Sequence, residues 1–190
     1  MSYVRLEKIN KYFGSQHVLH DVNLEVPEET FCVFLGPSGC GKSTLLNIVA
    51  GLELPTSGRV YLQGTDITDW PPHKRDIAMV FQNYALYPHL SAFENMAFGL
   101  RARNVQEEEI RDKVNAVSHV LNIHDKLEQY PRQLSGGERQ RVATGRAIVR
   151  EPNLFLFDEP QSNIDARLRL EMSKEFLELQ ARLKKTALYV

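Results

Sequence analysis

The feature that most constrains this 190-residue chain is a glycine-rich segment near its N-terminus. It fits the phosphate-loop pattern G-x-x-x-x-G-K-[ST] at every position, and its residues are Gly36, Pro37, Ser38, Gly39, Cys40, Gly41, Lys42 and Ser43. The apolar residues 30–35 before it predict a buried strand, and residues 43–50 after it predict a helix that ends at Gly51. A strand, a glycine loop and a helix in this order predict a nucleotide-binding turn.

Each residue type in this loop suits the binding of phosphate. Its glycines let several backbone N–H groups turn inward, and the helix N-terminus adds a partial positive charge. We expect Lys42 to reach the β- and γ-phosphates, the Ser43 hydroxyl to ligate Mg²⁺, and Thr44 to complete the cradle. The alternative is a chance glycine turn, which the flanking strand and helix disfavour.

The composition disfavours other classes of protein. A net charge of −1 gives no general electrostatic case for binding nucleic acid or an anionic membrane. No apolar run approaches the roughly 18–20 residues of a membrane span, and the first residues contain no signal-peptide core. Cys32 and Cys40 lie on predicted rigid elements and are poor disulfide partners, which indicates a reducing compartment. The histidines show no metal-ligand spacing.

A second apolar strand, predicted over residues 154–157, ends in two adjacent acids, Asp158 and Glu159. In phosphate-loop proteins an aspartate at this place holds Mg²⁺, usually through water. The carboxylate next to it is well placed to act as general base on the attacking water. The alternative is an ordinary acidic turn, which we would favour for an isolated pair but not after a complete phosphate loop.

A third motif precedes another predicted helix and consists of Leu134, Ser135, Gly136, Gly137 and Glu138. Its simplest interpretation is a helix start in which Ser135 and Glu138 form a capping box. Two glycines at a helix N-terminus also expose N–H groups, which makes a second anion site. Two copies of the chain, arranged head to tail about a two-fold axis, would bury two ATP molecules between them.

The order of the predicted elements indicates an α/β fold with a largely parallel sheet. The stretch between residues 81 and 154 is too long for an ordinary crossover, so we expect an inserted helical subdomain. Its best periodic signal is an apolar stripe of Ile110, Val114, Val117 and Leu121. The remaining elements are strands predicted over residues 4–9, 22–26, 59–63, 77–81 and 186–190 and a helix over residues 166–185.

The three motifs in this order resemble those of the ATP-binding subunit of an ABC transporter, and the resemblance covers residues 3–190. It implies a P-loop NTPase core with an N-terminal antiparallel β subdomain over residues 1–85 and 151–190, and a helical insert over residues 86–150. It also implies ATP and Mg²⁺ as cofactors. Phe13 matches the aromatic residue that stacks on adenine, with Tyr12 as the alternative.

Further roles follow from the resemblance. Gln82 matches the glutamine that senses Mg²⁺ and the membrane subunit, Asp158 matches a Mg²⁺ ligand, and Glu159 matches the catalytic base. The signature residues Ser135, Gly136, Gly137 and Glu138 match the segment that closes on the γ-phosphate of a second subunit. Asp165, within residues 162–165, matches the loop that links the two sites of the dimer.

Residues 75–90 and 94–100 closely resemble those of maltose-type carbohydrate importers of bacteria. This implies a homodimer, permease subunits docked at an apolar patch near Gln82–Leu90, an indirect solute-binding partner, and a cytoplasmic location on the inner face of the membrane. The alternatives are an importer ATPase for polyamine, iron or another solute, a module that dimerises on ATP with little hydrolysis, and an ABC ATPase of DNA repair or translation. In another alternative, the patch closes the core of the helical subdomain.

The chain departs from the family pattern at three places. It ends at Val190, before the switch histidine and the regulatory domain of maltose-type members, so we expect a fragment of a longer subunit. Gln161 stands where leucine is usual, which puts communication between subunits in doubt. Gly145 stands where alanine is usual, and a glycine inside a helix costs about 1 kcal/mol relative to alanine.

Overall fold

The computed structural model describes residues 2–81, 84–159 and 185–190. The strands among these residues are β1 (Ser2–Phe13), β2 (Gln16–Pro27), β3 (Phe31–Val33), β4 (Ser57–Leu62), β5 (Thr65–Asp66), β6 (Ile77–Val80), β7 (Leu154–Phe157) and β8 (Thr186–Tyr189). The helices are α1 (Lys42–Ala50), α2 (Ala92–Arg101), α3 (Glu107–Val120) and α4 (Gly136–Ile148). Gln82, Gln161, Asp165 and nearly all of the helix predicted over residues 166–185 lie outside the described residues.

The described strands form two sheets of different type, which confirms the predicted α/β class. The antiparallel sheet has the order β2-β1-β4-β5, and in it Leu6 of β1 lies opposite Leu24 on one side and Val60 on the other. The second sheet has the order β3-β8-β7-β6, with β8 parallel to both β3 and β7. All four residues of β7 are buried, as expected for a parallel strand covered on both faces.

The described residues fall into two compact units. The first contains residues 2–79, 153–158 and 185–190, and its core contains Leu6, Ile9, Leu46, Ile48, Leu156 and Leu188. The second contains residues 80–81, 84–152 and 159, with a core built from α2, α3 and α4. Within the described part of the chain, no helix is both long enough and apolar enough to cross a membrane. Cys32 and Cys40 are free thiols.

The helices of the second unit follow the predicted periodicity. Ile110 and Val114 of α3 are fully buried, and Val117 and Leu121 pack against the same core. The unusual Gly145 lies inside α4, where a Cβ atom would come within 2.7 Å of the Cε atom of Met96. The side chain of Met96 therefore fills the space that an alanine would occupy, which accounts for glycine at this position.

Helix α1, which carries the phosphate loop at its N-terminus, is held at its other end by a buried arginine. Arg75 is 2% exposed, and its guanidinium donates hydrogen bonds to the carbonyls of Ile48, Val49, Thr68 and Trp70 at 2.7–2.9 Å. The last carbonyls of a helix have no intrahelical partner. Arg75 therefore satisfies the C-terminus of α1 and fixes it against the loop that follows β5.

We expect Arg75→Met to lower the free energy of unfolding by about 3 kcal/mol or more, because it leaves the buried carbonyls of Val49 and Thr68 without this donor. Urea denaturation followed by circular dichroism measures the change. Lys74→Met, which alters the exposed neighbouring side chain, is the matched control and should leave the midpoint nearly unchanged. Equal midpoints for the two variants would contradict the role given to Arg75.

Candidate functional site

The phosphate loop joins β3 to α1 through a turn that only glycine fits well. Gly39 and Gly41 have φ angles of +81° and +96°, which side-chain-bearing residues rarely adopt. At Gly41 a Cβ atom would also come within 2.8 Å of the Leu19 side chain on β2. The loop residues 36–40 are exposed, so their backbone is open to a ligand from solvent.

The donors of this loop come from the start of α1. The first intrahelical bond runs from the N–H of Leu45 to the carbonyl of Gly41 at 2.9 Å, so the N–H groups of Lys42, Ser43 and Thr44 have no acceptor within the helix. The ammonium of Lys42 folds back over the loop and donates to the carbonyls of Gly36 and Pro37, each at 2.9 Å. A phosphate would replace these neutral acceptors with charged ones, which bind an ammonium more strongly.

The structure brings together two predicted metal ligands that are far apart in sequence. The Ser43 hydroxyl donates a hydrogen bond of 2.7 Å to a carboxylate oxygen of Asp158, at the end of β7. Neighbouring ligands of an octahedral Mg²⁺ ion are about 2.9 Å apart, so this oxygen pair fits that ion. No cluster of three or more His, Cys, Asp or Glu side chains among the described residues is arranged to hold a metal. A Mg²⁺ ion here would need water and phosphate as further ligands.

Glu159, the predicted general base, follows Asp158 directly and is partly buried. Its φ angle is +42°, a left-handed value that is uncommon for a residue with a side chain. Residues held in such conformations cluster at functional sites. Gln82, the other residue predicted to act in catalysis, lies outside the described residues.

Side-chain contacts of β1 distinguish the two candidates for base stacking. Lys11 lies opposite Leu19, the residue that packs against Gly41 of the phosphate loop. The pairing shifts register between Lys11 and Tyr12, so alternation along β1 does not by itself place Phe13. The Lys11 nitrogen lies 4.9 Å from the centroid of the Phe13 ring, which puts Phe13 on the side of β1 that carries Lys11.

The ring of Tyr12 already has a stacking partner within the chain. Its ring stacks on the imidazole of His17 with the centroids 3.9 Å apart and the planes 8° from parallel. Phe13 therefore remains the predicted stacking residue, and Tyr12 the alternative.

The signature motif forms the predicted capping box at the start of α4. The Glu138 carboxylate accepts from the N–H of Ser135 at 2.7 Å, and the Ser135 hydroxyl accepts from the N–H of Glu138 at 3.2 Å. Arg139 makes the first intrahelical bond, so the N–H groups of Gly136 and Gly137 have no acceptor within the helix. Gly136 is partly exposed and Gly137 is buried. Hydrogen bonds from the backbone and side chain of Ser135, followed by the charge of Lys126, lower the pKa of Glu138.

The apolar segment over residues 84–90 differs from the exposed patch expected from the sequence. Tyr84 is only 7% exposed, and Leu86 packs against the core of the second unit, so the alternative of core closure is correct for these two residues. Tyr87 and Phe98 remain 37% and 46% exposed, with their rings 4.8 Å apart. At this segment Tyr87 therefore forms an exposed aromatic pair with Phe98 of α2, and the sequence did not indicate the part of Phe98.

Two polar residues that sequence reasoning missed hold this segment in place. Asn95 is fully buried and bonds to both backbone groups of Tyr87 and to the carbonyls of Leu90 and Ser91 at 2.8–3.1 Å. The sequence did contain a signal for Asn95, since it is a polar residue next to Met96 on the apolar face of α2.

Arg146 of α4 is the second of these residues. It donates to the carbonyls of Tyr84 and Ala85 at 3.0 and 2.7 Å and lies over the ring of Tyr87. Both carbonyl partners have left-handed φ angles, +60° for Tyr84 and +46° for Ala85. Burial lowers the pKa of Arg146. Nothing in the sequence distinguishes it from the other arginines of the helix.

Comparison with known proteins gives one consistent family. A profile described as ABC transporter matches residues 19–162. The sn-glycerol-3-phosphate import ATP-binding protein UgpC of Yersinia enterocolitica is 53% identical over all of this chain and 53% of its own length. The protein of the same name from Bordetella avium is 54% identical over all of this chain and 52% of its own length. The chain thus spans about half the length of the curated relatives it matches.

A solved structure has the same fold. This is cbiO1 from Clostridium perfringens, described as part of the ABC transporter complex cbiONQ. It superposes with a TM-score of 0.88 at 26% identity and covers 99% of this chain and 77% of its own. The similarity confirms the predicted P-loop α/β fold.

Glu138 gives a pH prediction. Because its pKa is lowered from the ordinary value of 4.5 in the folded chain, its carboxylate stabilises the fold above that pH. This contribution is lost as the pH falls through the folded-state pKa. We expect the urea midpoint of the wild type to fall more steeply below pH 4.5 than that of Glu138→Gln, with Glu128→Gln as the exposed control. Identical acid profiles for all three proteins would contradict the prediction.

Proposed function

This chain belongs to the ABC transporter family, and we propose that it forms the ATP-binding and ATP-hydrolysing part of a bacterial importer. The observation that carries the proposal is the contact between Ser43 at the phosphate loop and Asp158 at the end of β7. This contact supports a cation site beside the proposed phosphate-binding loop. We assign residues 1–85 and 151–190 to the ATPase core and residues 86–150 to a helical subdomain, as the sequence predicts.

ATP would bind with its phosphates in the cradle of residues 36–44. The free N–H groups at the start of α1 would bind phosphate oxygens, and Lys42 would exchange its two carbonyl partners for the β- and γ-phosphates. Ser43 and Asp158 would hold Mg²⁺, with Gln82 as a further ligand. The ion supplies charge neutralisation on the phosphates when it is bound.

Hydrolysis would proceed by in-line attack of water on the γ-phosphorus. Glu159 would accept a proton from that water, the bond between the γ-phosphorus and the bridging oxygen would break, and ADP would leave. Lys42 and the amides of the loop would stabilise the charge on the transferring group. Positioning and electrostatics would do the catalysis, without a covalent intermediate.

A second subunit would complete each site, and we propose a homodimer. The capping box engages the N–H groups of Ser135 and Glu138 but leaves those of Gly136 and Gly137 without an acceptor in the helix. These two N–H groups and the Ser135 hydroxyl would close on the γ-phosphate bound by the other copy. Asp165 would link the two sites across the dimer.

The permease would dock at the surface formed by Tyr87 and Phe98, near residues 82–90. Arg146 connects this surface to α4, the helix that begins with the signature motif. ATP-driven closure would therefore move the docking surface. The subunit would lie in the cytoplasm on the inner face of the membrane.

A carbohydrate-type solute would reach the permease from a binding protein. The names of the relatives make sn-glycerol-3-phosphate the first cargo to test.

Phosphate release from ATP and Mg²⁺ by the chain, compared with Glu159→Gln, tests the proposed reaction. General-base catalysis contributes about 100-fold or more, so we expect the variant to lose at least that factor while still binding ATP. Lys42→Ala should lose ATP binding altogether. Wild-type turnover equal to that of Glu159→Gln would contradict the assignment, and a folded wild type that binds ATP without turnover would favour the binding-only alternative.

Tyr87→Glu tests the docking surface in the complete subunit co-expressed with its permease. A carboxylate buried without a partner is costly, so we expect permease affinity to fall at least about tenfold while ATP affinity stays unchanged. Tyr130→Glu makes the same change at a tyrosine of similar exposure elsewhere in the second unit. Co-purification and solute uptake measure both variants, and an intact complex with Tyr87→Glu would exclude docking there.

A further inference from the structure

A buried lysine lies beside the proposed base-stacking residue and has no part in the phosphate chemistry. Lys11 is 8% exposed. Its ammonium donates to a carboxylate oxygen of Glu53 at 2.6 Å and to the carbonyl of Leu54 at 2.7 Å. Both acceptors belong to the loop that follows α1. These contacts fix the charged end of the side chain at one place.

The ammonium of Lys11 lies over the ring of Phe13. The Lys11 nitrogen lies 4.9 Å from the ring centroid, within the range of about 6 Å for a cation–π interaction. Phe13 is nevertheless 47% exposed. Because the ammonium covers one face of the ring, the opposite face is the one open to a ligand.

We propose that Lys11 is the positioning residue for the nucleotide base: its ammonium fixes the Phe13 ring so that the opposite face receives adenine. The inference rests on the proposed binding of ATP. An exposed aromatic residue at a strand end samples several rotamers, and the cation holds one of them. The positive charge also draws electron density from the ring, which strengthens its stacking on an electron-rich purine.

The same lysine connects the Phe13 ring, which we call the base platform, to the phosphate loop. Lys11 lies opposite Leu19, which packs against Gly41, and Phe13 lies two residues further along β1, a distance of about 7 Å. Glu53 and Leu54 follow the helix that starts at the phosphate loop. The base of a nucleotide would therefore contact Phe13 and its phosphates would contact the phosphate loop. Lys11 touches Phe13 and the loop after α1, so it links the two contact regions.

Comparing ATP with inorganic triphosphate separates this role from a merely structural one. Triphosphate occupies the phosphate loop but has no base, so a defect in the platform affects only ATP. A general loss of structure would weaken both ligands. Isothermal titration calorimetry with Mg²⁺ gives both affinities for each variant of the chain.

For Lys11→Met we expect ATP affinity to fall about threefold to tenfold, with triphosphate affinity unchanged. Lys11→Arg keeps the cation and should restore most of the ATP affinity. In a Phe13→Leu background, Lys11→Met should cause no further loss, because the lysine acts through the ring. If Lys11→Met does not fold by circular dichroism, Lys11→Gln keeps an N–H donor without the charge and carries the same expectations.

Two results would overturn the inference while leaving ATP binding intact. One is unchanged ATP affinity in Lys11→Met, and the other is an equal loss for ATP and triphosphate. A wild-type chain that binds neither ligand would overturn the proposed function and this inference with it. Lys42→Ala is the control for the site: if this single substitution abolishes binding of both ATP and triphosphate, the phosphate loop is the site being measured.

Discussion

The order of strands in the parallel sheet is the constraint on which the candidate site depends. Strand β8 lies between β3 and β7 and pairs with both in parallel, so the carboxyl ends of all three strands meet at one edge of the sheet. Ligands of open α/β sheets bind at that edge. The phosphate loop follows β3 and Asp158 follows β7, which is why the Ser43 hydroxyl reaches the carboxylate at 2.7 Å. Without β8 between them, β3 and β7 would not be held in one sheet, and Ser43 and Asp158 would not be brought together.

Buried or partly buried polar side chains that bond to backbone carbonyls fix the loops of the two units. Arg75 holds the end of α1, Lys11 holds the loop that follows it, and Arg146 and Asn95 hold residues 84–91 of the second unit. Burying a charge is costly unless it is hydrogen-bonded, and each of these groups has two or more acceptors. The loops therefore keep defined positions although their own residues lack regular secondary structure.

Much of the fold followed from local patterns. Strand β7 has the predicted bounds, the stripe of α3 is buried, and the capping box at Ser135 forms as expected. Strands β1 and β2 are longer than predicted, because bulges between them interrupt the alternation on which the prediction relied. For Tyr84 the sequence left core closure as the alternative to an exposed patch, and the structure shows the buried side chain on a left-handed backbone. No residue-type pattern signals such a turn at tyrosine.

The sequence by itself determined the features that depend on residues a few positions apart. The phosphate loop, the capping box and the helical stripe are of this kind, since their hydrogen bonds and periodicity are local. Tertiary structure decided which distant groups meet: Lys11 with Glu53 across 42 residues, Arg146 with Ala85 across 61, and Ser43 with Asp158 across 115. Choosing between Phe13 and Tyr12 also required their tertiary contacts, the Lys11 ammonium over the Phe13 ring and the His17 imidazole on the Tyr12 ring. Such choices depend on which face of a strand packs on which loop, and that is set by the packing of the whole unit.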